Sequence, residues 1–236
     1  MTNKIYTGME IVSSGGDTLW RFGDETINID FTGTDFDTKV KCNAVGIIFS
    51  DTNTPYPTKT YVEHAGTWTH VTSNGWKPNT TDVTKGPSLF LPVVRSENWE
   101  LEIVFDFSSA DVSDTGQLIL FAMTASNHVP FFALASDSHG SADQLIVSLF
   151  TNSGNDTYSS VYIGSAITGT GQRTIKLRNL NGTYGVWDDQ DDSWHNYEAR
   201  QSAGISYSPA FVGLQGRKGA NTMVTFEIEN LKLNYL

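Results

Sequence analysis

Two aromatic clusters hold the residue types best suited to chemistry. Tyr56, Tyr61, His64, Trp68, His70 and Trp76 fall in a Pro- and Thr-rich stretch, and Tyr184, Trp187, Trp194, His195 and Tyr197 follow an Asn181-Gly182 pair. Sugar binding is the chemistry such clusters suit: ring faces stack on C–H surfaces while a few fixed polar groups set orientation. Tyr61, Trp68, Trp76, Tyr184, Trp187 and Trp194 are therefore the candidate glycan-binding residues. The plainer alternative is that these rings pack loops onto the molecule or onto a neighbouring subunit, because aromatics dominate cores and interfaces generally.

Acidic residues raise two further possibilities. Asp188, Asp189, Asp191 and Asp192 place four carboxylates within five residues, a density that could wrap a hard cation such as calcium. The stretch lacks the Gly and distal Glu of an EF-hand loop, and a solvated acidic turn is the commoner meaning, so no metal and no cofactor is assigned. Glu100, Glu102 and Asp106 share one face of a strand, and a retaining glycosidase needs two carboxyl groups about 5 Å apart in such a setting. Val104 interrupts that row, and polar residues on the wet side of a strand are the simpler reading. His128, His139 and His195 have no serine elbow or metal-ligand spacing around them, so no catalytic residue is assigned.

The strictest pattern in the chain is Asn98 to Phe107, NWELEIVFDF. Trp99, Leu101, Ile103, Phe105 and Phe107 alternate with Glu100, Glu102, Val104 and Asp106, the period of a strand with one buried and one wetter face. QLILFAMTA (117–125) and VPFFALAS (129–136) are apolar on both faces, as central strands covered on both sides would be. Strands are also expected over Gln144–Thr151, Ser159–Thr168, Gln172–Leu180 and Thr183–Trp187, the last two joined by Asn181-Gly182, the strongest hairpin signal present. In Thr222–Leu236 the apolar positions change phase, from Val224, Phe226 and Ile228 to Leu231, Leu233 and Tyr235. One extra residue near Glu229-Asn230 restores the facing, which predicts a β-bulge there.

Ahead of these, Thr26–Phe31 and the run VGIIFS ending at Ser50 read as strands. Residues 51–87 carry Pro55, Pro57, Pro78 and Pro87 and read as a long loop or hairpin excursion, functional or interface-forming as such segments usually are. A domain boundary near Gly86-Pro87 is the other possibility. The expected organisation is an N-terminal arm over residues 1–25, docked on its own domain or a neighbour, and a single sandwich domain over 26–236. The length of 236 residues suits one all-β domain of roughly 200–250 residues.

Twenty-six acidic residues against fifteen basic ones give a net charge of −11, a field that repels phosphate backbones and anionic lipid surfaces, so neither nucleic acid nor a membrane is an expected partner. The single cysteine, Cys42, cannot form an internal disulfide and reads as a small buried hydrophobe. The start MTNKIYTGMEIV has no apolar run of signal-peptide length, and nothing approaches the ~20 apolar residues of a membrane helix. Synthesis in a cytoplasm is expected, with release by another route, such as assembly into a larger particle.

Taken in order, the strands W-E-L-E-I-V-F-D-F, the hairpin I-K-L-R-N-L-N-G-T-Y-G-V-W, the segment A-F-V-G-L-Q-G and the closing F-E-I-E-N-L-K-L resemble the laminin-G-like and concanavalin-like jelly-roll sandwiches over roughly residues 88–236. The resemblance implies an all-β, two-sheet antiparallel fold. It implies a function among carbohydrate-binding modules, lectins, adhesion domains and the receptor-binding or decorating proteins of viruses. The E-x-D-x-x-E style of motif found in the related glucanases is absent. A non-enzymatic, lectin-like protein on the exterior of a phage-like particle is the expectation, binding surface glycans through aromatic loop residues and meeting cell-surface carbohydrate or other virion proteins as an oligomer or part of an assembly. The alternatives are a purely structural decoration or baseplate component and a glycoside hydrolase of the same fold.

Overall fold

The computed structural model describes residues 10–12, 18–21, 26–30, 48–50, 67–71, 75–79, 88–92, 98–107, 116–124, 129, 131–137, 144–154, 157–198, 209–217 and 226–236. In chain order they form β1 (Glu10–Val12), β2 (Thr18–Arg21), β3 (Thr26–Asp30), β4 (Ile48–Ser50), β5 (Thr67–Val71), β6 (Gly75–Asn79), β7 (Ser88–Pro92), β8 (Asn98–Phe107) and β9 (Gln117–Thr124). The series continues with β10 (Phe131–Asp137), β11 (Gln144–Gly154), β12 (Thr157–Ile163), β13 (Ile167–Thr168), β14 (Gly171–Leu180), β15 (Thr183–Asp188), β16 (His195–Glu198), β17 (Pro209–Arg217) and β18 (Phe226–Tyr235). No helix occurs among the described residues.

One sheet has the order β12-β11-β10-β9-β17-β7-β4, with β13 also on β11. The other has the order β16-β15-β14-β8-β18-β6-β5, with β3 also on β18, while β1 and β2 form a ladder of their own. Neighbouring strands are antiparallel, as in β14 with β8 and β17 with β9. The stretch 51–87, expected as a loop or hairpin, supplies the β5–β6 hairpin, whose β6 joins β18 at the pair Ile228–Trp76. Cys42, His128 and His139 lie outside the described residues.

The core follows from alternation. Trp99, Leu101, Ile103, Phe105 and Phe107 of β8 are all fully buried, and the residues between them are half-buried. They form one cluster with Ile175 and Leu177 of β14, Leu118, Leu120 and Ala122 of β9, and Leu145, Val147 and Leu149 of β11. The two sheets therefore share one apolar interior, in which each large buried side chain contributes about 1.5–3 kcal/mol. The two-sided apolar strands behave as expected: Ile119, Phe121 and Met123 of β9 pack with Phe132 and Leu134 of β10 on the opposite face, also buried.

Two local features match the sequence in detail, and a third departs from it. Asn181 and Gly182 have φ of 52° and 83°, the left-handed pair of a type I′ turn. Asn179 Oδ1 accepts the Gly182 N–H at 2.9 Å and Asn98 Oδ1 accepts the Asn181 N–H at 2.8 Å, which closes the turn on itself and on β8. In β18 the ladder to β8 slips between Ile228 and Asn230, so Glu229 is the extra residue and both apolar sets reach the core. The expected strand over Ser159–Thr168 differs: it divides into β12 and β13 at Gly164. The Gly164 N–H donates to Val147 O at 2.8 Å, and a Cβ there would stand 2.6 Å from that same oxygen, so the chain turns in at a point only glycine can occupy.

Candidate functional site

Strand alternation sends Lys176 and Arg178 to the outer face of the second sheet, because Ile175 and Leu177 go inward. Tyr184 and Val186 of β15 are core, which leaves Gly185 and Trp187 outward. Register then aligns two cross-strand rows: Glu102, Lys176 and Trp187 in one, and Glu100, Arg178, Gly185 and Asn196 in the other. Cross-strand neighbours on one face are close enough to interact directly.

The first row joins a cation to an indole, and the cation of the second meets the indole of Trp194, just ahead of β16. Lys176 Nζ lies 2.8 Å from Glu102 Oε2, 3.6 Å from Glu100 Oε1 and 4.8 Å from the Trp187 ring centroid. Desolvation pulls the Lys176 ammonium down, but the hydrogen bond to Glu102 and the two carboxylate charges outweigh it and raise its pKa overall. The Arg178 guanidinium stands 3.8 Å from the Trp194 ring centroid, and its Nη2 donates to Asn196 Oδ1 at 3.1 Å. Both contacts lie within the range of cation–π attraction. A Cβ on Gly185 would stand 2.5 Å from Asn196 Oδ1 and 3.1 Å from Trp194 Cε3. The missing side chain is what lets the Trp194 indole and Asn196 close over β15. Trp187 and Trp194 remain half-buried, not sealed.

The other sequence candidates are placed differently. Tyr184 is fully buried, stacked on Phe131 at 4.0 Å and edge-on to Trp99 at 6.0 Å, so it supports the floor of the face and offers no ring to a ligand. That is a correction to its assignment as a glycan contact, and its cause is parity: it shares the inward phase of Val186. Trp68 and Trp76 fall in β5 and β6, opposite Pro78 and His70 respectively. Between β15 and β6 lie β14, β8 and β18, so the backbone strand that carries Trp76 stands about 19 Å from the one that carries Trp187, at ~4.8 Å per strand. Tyr56, Tyr61 and His64 lie outside the described residues.

The acidic turn spends its oxygens on the chain itself. Asp188 Oδ1 accepts the N–H groups of Gln190 at 3.1 Å and Asp191 at 2.9 Å, and Asp189 Oδ2 accepts that of Thr174 at 3.1 Å. The Asp191 carboxylate pairs with His195 Nε2. Among the described residues no group of three or more His, Cys, Asp or Glu is arranged to hold a metal ion.

Sequence reasoning missed Lys176, Arg178 and Asn196. A signal for the first two was present. A two-residue turn at Asn181-Gly182 makes Leu180 face Thr183, and counting back puts Lys176 opposite Trp187 and Arg178 opposite Gly185. Asn196 depends on a strand pairing that no local pattern encodes.

Burial pushes the Tyr184 phenol far above its ordinary 10.0. Because the folded-state value is raised, its contribution to stability is intact below pH 10 and is lost as pH rises beyond it. Denaturant titrations from pH 10 to 12 should show stability falling about 1.4 kcal/mol per pH unit more steeply in the parent than in Tyr184→Phe. Equal slopes would show that Tyr184 ionises freely in the folded state.

Two antiparallel sheets stacked on one core, with the late strands β17 and β18 inserted beside β9 and β8, make this chain a concanavalin-like jelly-roll sandwich. No protein-family model matches the sequence. No curated protein matches it in sequence. Among solved structures, the CBM2 module of the evolved Dit of Lactobacillus casei BL23 phage J-1 is similar with a TM-score of 0.61 at 12% identity, over 89% of this chain and 94% of that one. The Emp47p carbohydrate recognition domain gives a TM-score of 0.59 at 13% identity, over 90% and 96%. The VIP36 exoplasmic/lumenal domain in its Ca2+/Man3GlcNAc-bound form gives 0.54 at 12%, over 80% and 83%. At such identities the likeness is one of fold.

Proposed function

We propose that this chain is a non-enzymatic carbohydrate-binding module on the exterior of a phage-like particle, taking a surface glycan on the outer face of β14, β15 and β16. The observation that carries the reading is the pair Trp187 and Trp194, half-buried beside Glu100, Glu102, Arg178 and Asn196 on hydrogen-bonded strands. Apolar ring surface next to fixed donors and acceptors is the composition a sugar site needs. Likeness of fold to a phage-borne module and to a carbohydrate recognition domain supports the same reading. In that setting the partner is a cell-surface carbohydrate, and other virion proteins are the neighbours.

Of the acidic row Glu100, Glu102 and Asp106 on which a hydrolase would draw, Glu100 and Glu102 are spanned by one ammonium, that of Lys176. Such pairing suits recognition better than a nucleophile and a proton donor acting in turn. Titration of the protein with a broad glycan panel, read by tryptophan fluorescence, should find a ligand. Trp187→Ala and Trp194→Ala should each weaken it by about thirtyfold, the cost of removing a central anchor. No response to any glycan would reject the reading. Reducing-sugar release by the parent that disappears in Glu102→Gln would replace a binding module with an enzyme.

A further inference from the structure

His195 begins β16 between the two outward residues Trp194 and Asn196. It pairs with Val186, a core residue, so it points inward toward the other sheet. There its ring stacks on Tyr162 of β12, with centroids 3.8 Å apart and planes 12° from parallel. The Asp191 carboxylate pairs with His195 Nε2, and burial together with the charges of Asp191 and Asp188 raises the pKa of the Tyr162 phenol. Tyr162 itself packs against the main core and pairs with Leu149 of β11. Three side chains thus tie the last strand of one sheet to the last strand of the other.

That tie matters because of where β16 lies. It has four residues and, among the described residues, one hydrogen-bonded neighbour, β15. A short edge strand held on one side belongs to the easily opened part of a structure. Successive residues of a strand face opposite ways, so fixing His195 inward fixes Trp194 and Asn196 outward. We infer that Tyr162, on the opposite sheet, is a positioning residue for the glycan face: by stacking on His195 it holds the Trp194 indole over Gly185 and against Arg178. The inference rests on the reading of that face as the binding site, yet it has consequences in the free protein.

The test is a double-mutant comparison of tryptophan emission without ligand. Tyr162→Ala should shift the emission of the parent and leave that of a Trp194→Phe background unchanged, whereas Tyr162→Phe, which keeps the stack, should match the parent. With glycan, Tyr162→Ala should weaken binding about tenfold, since Trp194 and Asn196 must then be ordered at the moment of binding, and Tyr162→Phe should restore affinity to within about threefold. If Tyr162→Ala does not fold, Asp191→Ala, at an exposed position, is read in the same way. Unchanged emission in the alanine variant, or a shift that persists in the Trp194→Phe background, overturns the inference. Failure of every variant to bind any glycan while the emission result holds would remove the sugar reading and leave the positioning intact.

Discussion

Replacing Trp99 by alanine is expected to lower the free energy of unfolding by about 3–5 kcal/mol, the range for deleting a large buried aromatic. Trp99 is fully buried in the central strand β8, opposite Asn179 of β14 and Tyr235 of β18, with Tyr184 edge-on to its ring. Its neighbours belong to ladders on both sides and cannot collapse into the space left behind. Trp99→Phe should cost much less. The Trp99 Nε1–H has no hydrogen-bond partner among the described residues, so phenylalanine removes an unpaired buried donor and keeps a ring in place. Urea titrations of the two variants measure the contrast. A Trp99→Ala loss below about 1 kcal/mol would mean that the interior is not close-packed at this point.

Deleting one residue from β18 should have opposite outcomes at two nearby positions. Glu229 is the bulged residue, so removing it leaves Ile228 and Leu231 separated by Asn230 alone and keeps Phe226, Ile228, Leu231 and Leu233 facing the core. The variant loses the Gln172 Nε2–Glu229 Oε2 hydrogen bond of 2.6 Å and the local twist of the bulge. It should fold, at a cost of about 1 kcal/mol. Removing Lys232 instead brings Leu233 next to Leu231 and turns it to the solvent side. It also shifts the ladders to both β8 and β3. A one-residue slip turns an entire apolar set the wrong way, so this variant should lose several times as much stability, about 3–5 kcal/mol, and should fail to fold in a marginal background. Thermal melts followed by circular dichroism compare them, and equal stability of the two deletions would refute the bulge assignment.

The parts of the fold that were legible in sequence share one property: they are set by period and phase along a short stretch. NWELEIVFDF declares its buried face because five apolar residues keep one parity. The phase change in the closing strand declares its bulge. Asn181-Gly182 declares its turn because few other dipeptides accept two left-handed conformations. The same logic would have removed Tyr184 from the candidate site had parity been carried through the hairpin, since Tyr184 and Val186 share a phase that Trp187 does not.

Sequence by itself determined an all-β sandwich, its central strand, its hairpin and its bulge, because each depends on the order of neighbouring residues and on backbone geometry alone. The tertiary structure decided which aromatics meet which charges. Trp194 finds Arg178 across β15, and His195 finds Tyr162 across the gap between sheets, although 33 positions separate the latter pair in the chain. Those meetings depend on strand order and on the stacking of two sheets, long-range choices made by burial of the whole interior. No window of a few residues contains them.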